Sequence, residues 1–214
     1  MPGTSVVLRG GLVIDGTGAP ARRSDVVLRD GVITGFEAAI GEAAEVIDLG
    51  GLAVAPGFID VHTHDDRLLL ADPSMTPKLS QGVTTVVTGN CGVSLAPLGN
   101  RTAVPPLNLV AADAAELPSQ RFGSFRDYFA ALEAQPPAIN CAALVGHTSL
   151  RVMAMSALDR PANAAEVAAM QAGVAEALAA GAIGASTGTY YAPATPPPPT
   201  RSARCSSRCA APPR

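Results

Sequence analysis

The chain has 214 residues, 48% of them hydrophobic, and a formal net charge of -3. That length and apolar content can bury a sizeable core, and the slightly negative balance offers no electrostatic footprint for nucleic acid or an anionic membrane surface. No run of 18 apolar residues predicts a membrane span, Met1 to Ser5 lacks the basic and apolar regions of a secretory leader, and the 4 cysteines form no disulfide framework, so the expectation is a cytoplasmic chain.

Residues 5 to 55 carry short β-type runs separated by turn residues: Ser5-Val6-Val7-Leu8, Leu12-Val13-Ile14, Asp25 to Arg29, and Val32-Ile33. Asp30-Gly31 sits between the last two runs, a two-residue hairpin signal that requires positive φ at both positions. Residues 1 to 55 therefore predict a small antiparallel β unit.

From residue 57 the pattern changes to alternating strands and helices. Gly57 to Val61 predicts a buried strand, and His62 and His64 follow it at i and i+2, where alternate side chains share a face. Such a pair reads either as hydrogen-bonded core histidines or as two ligands of one metal. The chain has only 3 histidines, and two stand here beside Asp65 and Asp66. Those two carboxylates either accept hydrogen bonds from the imidazoles, fixing their tautomers, or cap the following turn.

A short helical piece is predicted around Pro77 to Gln81, then a β-branched strand over Val83 to Val87. After it, Gly89-Asn90-Cys91-Gly92 places a thiol between glycines that permit a sharp bend. Cys91 reads as a buried free cysteine or as a metal ligand. A long Pro- and Ala-rich stretch leads to Ser124, which caps a predicted helix over Phe125 to Ala134 with Phe125, Tyr128, Phe129 and Leu132 on its core face. Ile139 to Val145 predicts a third strand, with His147 just beyond it. Asn163 and Glu166 open a capping-box helix that Gly181 stops, and Ile183 to Thr187 predicts a fourth strand. This alternation argues for a parallel sheet. Residues 196 to 214, with six prolines and four arginines, cannot bury enough apolar surface to fold, and predict a disordered Pro/Arg-rich tail.

Several separate motifs carry a resemblance. Val54-Ala55-Pro56-Gly57-Phe58-Ile59-Asp60-Val61-His62-Thr63-His64 resembles the first-strand signature of the amidohydrolase superfamily. Asp65-Asp66, Met75 through Gly92, Gly146-His147-Thr148-Ser149-Leu150-Arg151 and Gly184 through Pro193 resemble its D-aminoacylase or N-acyl-D-amino-acid deacylase branch. The resemblance implies an α/β fold, the N-terminal half of a (β/α)8 TIM barrel over residues 56 to 195, preceded by a sandwich part in residues 1 to 55. A closed barrel of this kind has eight strands and takes about 250 residues, so four predicted strands make the barrel incomplete.

The resemblance further implies zinc as cofactor, held by His62, His64 and Cys91, and hydrolysis of the amide of a small N-acyl-D-amino acid. Family precedent adds two later histidines and a later aspartate as ligand and general base, which these residues do not contain; no catalytic residue is assigned here. His147 either lines the pocket or caps backbone groups at a strand end. Tyr191 reads as a substrate-side residue or as packing. Two alternatives stand beside the deacylase reading. One is a cyclic-amide hydrolase of the dihydropyrimidinase or dihydroorotase kind, whose bridging carboxylated lysine has no counterpart other than Lys78. The other is a non-catalytic fragment. Nothing in the sequence fixes an oligomeric state.

Overall fold

The computed structural model describes residues 5–36, 44–99, 105–110, 122–190 and 193–194. It forms two compact units, residues 1–57 and 58–214. Tyr191 and the tail over residues 196–214 lie outside the described residues.

The first unit is a five-stranded sheet of β1 (Ser5–Val13), β2 (Arg22–Arg29), β3 (Val32–Phe36), β4 (Ala44–Asp48) and β5 (Ala53–Val54). The hairpin at Asp30-Gly31 forms as its sequence requires, with φ of 51° and 77°. Pairing of β2 with β1 and β3 is antiparallel as expected, but β4 and β5 both add to β1 in parallel, which the sequence did not disclose. The two short runs expected at residues 5–8 and 12–14 are one strand. A register shift between Leu8 and Gly11 interrupts it, with Gly10 at φ 69° and its N–H donated to Asp25 Oδ1 at 2.9 Å.

The second unit is a four-stranded parallel sheet in the order β6 (Phe58–Asp60), β7 (Val83–Thr88), β8 (Asn140–Gly146), β9 (Gly184–Ser186). Helices fill the crossovers: α1 (Leu68–Ala71) and α2 (Thr76–Leu79) after β6, α3 (Phe125–Ala134) before β8, then α4 (His147–Ala154) and α5 (Ala164–Ala180) before β9. Ser124 Oγ accepts the Asp127 N–H at the start of α3. Asn163 and Glu166 close a reciprocal capping box on α5, and Gly181, at φ 117°, ends it. Met170, Val174 and Ala177 are the buried stripe of α5 and pack with Phe125, Tyr128, Leu150, Val86 and Val145 in one core.

One expectation needs correction. The strand expected over Gly57 to Val61 is shorter, and it is not buried: Phe58 and Ile59 are 67% and 61% exposed, because among the described residues β6 pairs on one side only. The histidines therefore stand beyond the strand. There the His62 N–H donates to Asp60 Oδ1 at 3.2 Å instead of continuing the ladder, which resumes only with Thr63 N–H on Val87 O. His147 lies just beyond β8 as expected, and because α4 follows β8 with no intervening loop, it opens that helix.

Candidate functional site

All four strands of the second unit run the same way, so the segments after β6, β7 and β8 emerge at one edge of the sheet. His62 and His64 follow β6, Cys91 follows β7, and His147 follows β8. In parallel α/β sheets this carboxyl edge is where sites assemble.

The structure brings His62, His64 and Cys91 together. One ligand atom from each lies within 4.8 Å of the other two, and no other cluster of three metal-ligating side chains occurs among the described residues. His62 Nε2 is 3.0 Å from Cys91 Sγ, and the two imidazole rings stand edge to face with centroids 6.0 Å apart. Around a tetrahedral zinc, bonds of about 2.0–2.3 Å separate donors by about 3.3–3.6 Å, so modest side-chain rotation suffices to bring all three onto one ion. His64 Nδ1 is buried without a hydrogen-bond partner, a position that a buried imidazole nitrogen does not normally occupy. Burial first, and then the neighbouring His62, hold the His64 pKa below its ordinary value against the opposing charge of Asp65. Both causes favour the neutral ring, the form that binds metal. Two imidazoles, one of them with an orphaned ring nitrogen, and one thiol fit a zinc ion.

The Cys91 segment takes its shape from local backbone chemistry. Gly89, Cys91 and Gly92 all adopt positive φ, at 74°, 57° and 76°. A Cβ on Gly89 would fall 1.9 Å from Leu144 O, so only glycine passes β8 this closely. Ser186 Oγ accepts the Gly92 N–H and donates to Gly89 O, tying the segment to β9.

A charged brace ties Asp60 and Asp65, on either side of the histidines in sequence, to Lys78 of α2. Lys78 Nζ contacts Asp60 Oδ2 at 2.6 Å and Asp65 Oδ2 at 2.9 Å, and donates to Thr63 Oγ1 at 3.4 Å. Burial works to lower the Lys78 pKa, but the hydrogen bonds to Asp60 and Asp65 outweigh it and hold the ammonium above its usual value. The same bond from Lys78 holds Asp60 below the carboxylate range. No spacing in the sequence announces this brace, since Lys78 lies 18 residues from Asp60.

His147 does not join the three donors. Its Nδ1 faces Thr187 Oγ1 at 3.4 Å, and burial, then Arg151, lower its pKa. Neither Asp65 nor Asp66 has an imidazole among its hydrogen-bond partners: Asp65 pairs with Lys78, and Asp66 serves the Cys91 segment. Cys141 is a separate half-buried thiol beside Thr88, its pKa pushed up to about 11 by burial.

A family model described as "Amidohydrolase family" matches residues 45–202. The chain belongs to the amidohydrolase family. It is 52% identical over 195 residues to an N-acyl-D-aspartate deacylase of Alcaligenes xylosoxydans xylosoxydans, covering 90% of this chain and 38% of that protein. A solved D-aminoacylase with a binuclear metal center superimposes with a TM-score of 0.83 at 52% identity, covering 89% of this chain and 40% of the other. The N-acyl-D-glutamate deacylase of Bordetella bronchiseptica, solved with zinc and a phosphonate mimic of the tetrahedral intermediate, superimposes with a TM-score of 0.78 at 45% identity, covering 89% and 39%. The chain thus spans about two fifths of the length of the curated relatives it matches, and its second unit is a half-barrel sheet of the amidohydrolase TIM barrel. No described helix is long and apolar enough to cross a membrane.

Proposed function

We propose that this amidohydrolase chain supplies the two-imidazole and thiolate part of a zinc centre that hydrolyses the amide bond of N-acyl-D-amino acids, in the cytoplasm, where a thiol stays reduced. The observation that carries the reading is the convergence of His62, His64 and Cys91 at the carboxyl ends of β6 and β7. It joins the similarity to deacylases of N-acyl-D-aspartate and N-acyl-D-glutamate, and the zinc in one of the solved relatives.

His62, His64 and Cys91 would hold the ion. A zinc ion so bound supplies Lewis acidity toward an acyl carbonyl and lowers the pKa of water to about 7. The chain's own part is orientation. Lys78, through Asp60 and Asp65, fixes the histidine segment, and the two flanking glycines with Ser186 fix the thiol. His147 and Tyr191 are proposed to line the substrate side.

These 214 residues hold three of the donors that the resemblance implies and no assigned general base, so the 214-residue polypeptide is proposed to bind zinc without turnover. Purified protein loaded with zinc, then dialysed, should retain metal that Cys91→Ala loses, and should release no amino acid above background from a panel of N-acetyl-D-amino acids. Equal zinc retention by Cys91→Ala refutes the thiolate ligand. Turnover abolished by His64→Ala refutes the inactivity.

A further inference from the structure

The segment Gly89 to Leu95 is closed by one side chain from the other side of the site. Asp66 is 2% exposed, and its carboxylate reaches both ends of that segment: Oδ2 accepts the Gly89 N–H at 3.3 Å and Oδ1 accepts the Leu95 N–H at 3.2 Å. Between these anchors lies Cys91. Asp66 is itself two residues from His64, and its carbonyl oxygen accepts the Tyr128 hydroxyl at 3.1 Å from the core face of α3. A second strut runs the same way, with Asn90 Nδ2 donating to Thr63 O at 3.4 Å and to Val87 O at 2.8 Å. The histidine segment and the cysteine segment are therefore one braced body, and the Asp66 carboxylate is its crosspiece.

We infer that Asp66 is a positioning residue that sets the distance between the Cys91 thiol and the two imidazoles. The inference rests on the metal-site reading for its consequence, but its geometry stands apart from any ion. A carboxylate is suited to the task because it is an acceptor at both oxygens and faces two N–H groups. The asparagine isostere keeps one acceptor and turns an NH2 toward the other N–H, so one end of the segment must let go. The cost is concentrated there, since a buried amide without a partner moves to find one.

The test compares Asp66→Asn with Tyr128→Phe, which removes a buried hydrogen bond to the same residue and leaves the carboxylate untouched. In the metal-free chain, a nuclear Overhauser contact between the His62 ring and the Cys91 β protons should be present in the unmodified protein and in Tyr128→Phe, and lost in Asp66→Asn while β7 and β8 amides stay protected. Zinc affinity should fall by about 10- to 100-fold in Asp66→Asn only, as for other groups that hold ligands in place. Persistence of the contact in Asp66→Asn, or equal losses in both variants, overturns the inference. Should the asparagine variant not fold, hydrogen exchange of the unmodified chain decides: Gly89 and Leu95 amides protected together support the crosspiece, and exchange at the rate of free amides overturns it. If the unmodified chain binds no zinc, the ligand reading fails, and the metal-free measurements still decide the role of Asp66.

Discussion

Gly146→Ala probes how a close backbone approach beside the site bears on the proposed metal donors. A Cβ at Gly146 would lie 2.5 Å from Gly92 O, 2.6 Å from Gly92 C and 2.7 Å from Val93 N, all in the segment that carries Cys91. Its φ of -81° suits any residue, so the effect is steric rather than conformational. A carbon facing a carbonyl oxygen needs about 3.3 Å, and the segment must therefore withdraw by about 0.8 Å. Ligand distances in a metal site tolerate about 0.2 Å, so zinc affinity should drop by about 10- to 100-fold. Overpacking should also cost about 1–3 kcal/mol of stability. Competition with a chromophoric chelator reads the first quantity and urea unfolding the second. Gly173→Ala is the control: its Cβ would lie 2.5 Å from Leu150 Cδ2, the far end of a side chain that can rotate away, so zinc affinity should hold. Unchanged affinity in Gly146→Ala, with the stability cost present, refutes the idea that the position of the Cys91 segment governs the donors.

Lys78→Met leaves Asp60 and Asp65 without their shared cation, and the histidine segment should loosen, weakening zinc binding by about 10-fold in the same chelator assay; equal affinity would dismiss the brace. Asn163→Ala removes the cap that accepts the Glu166 N–H and should lower stability by about 1 kcal/mol without touching metal affinity, read as a shift in Tm. Glu166 is held at about 2 by the hydrogen bonds from Arg160 and then by the Asn163 N–H, below its ordinary 4.5. A depressed carboxylate stabilises the fold above its unfolded pKa and loses that contribution as pH falls through about 2. Glu166→Gln should flatten this part of the acid limb in pH-dependent urea unfolding, and an unaltered limb would remove Glu166 from the account.

The elements that local chemistry dictates were legible in the sequence. Ser124, the Asn163 to Glu166 box and Gly181 each mark a helix end by a hydrogen bond or a φ that their residue type supplies, and Asp30-Gly31 marks its turn in the same way. That His62 and His64 stand together was legible from residue type and the i, i+2 spacing just past a strand, and that Cys91 joins them was expected from the resemblance rather than from any spacing. What the sequence withheld depends on tertiary neighbours. The parallel addition of β4 and β5 to β1 is chosen by long-range pairing, and the exposure of β6 follows from its place at the sheet edge. The roles of Asp65 and Asp66 were open between imidazole support and turn capping, and the structure gives a third answer. Their partners, Lys78 and the Gly89 and Leu95 amides, are distant in sequence and leave no periodic trace.

Cobalt(II) loading of the 214-residue chain tests the central claim, that His62, His64 and Cys91 form one metal site. The account predicts uptake of one ion per chain with thiolate-to-cobalt charge-transfer absorption, displaced by zinc, absent in Cys91→Ala and weakened in His62→Ala and His64→Ala. Cobalt uptake with no thiolate absorption, or absorption that survives Cys91→Ala, would contradict it.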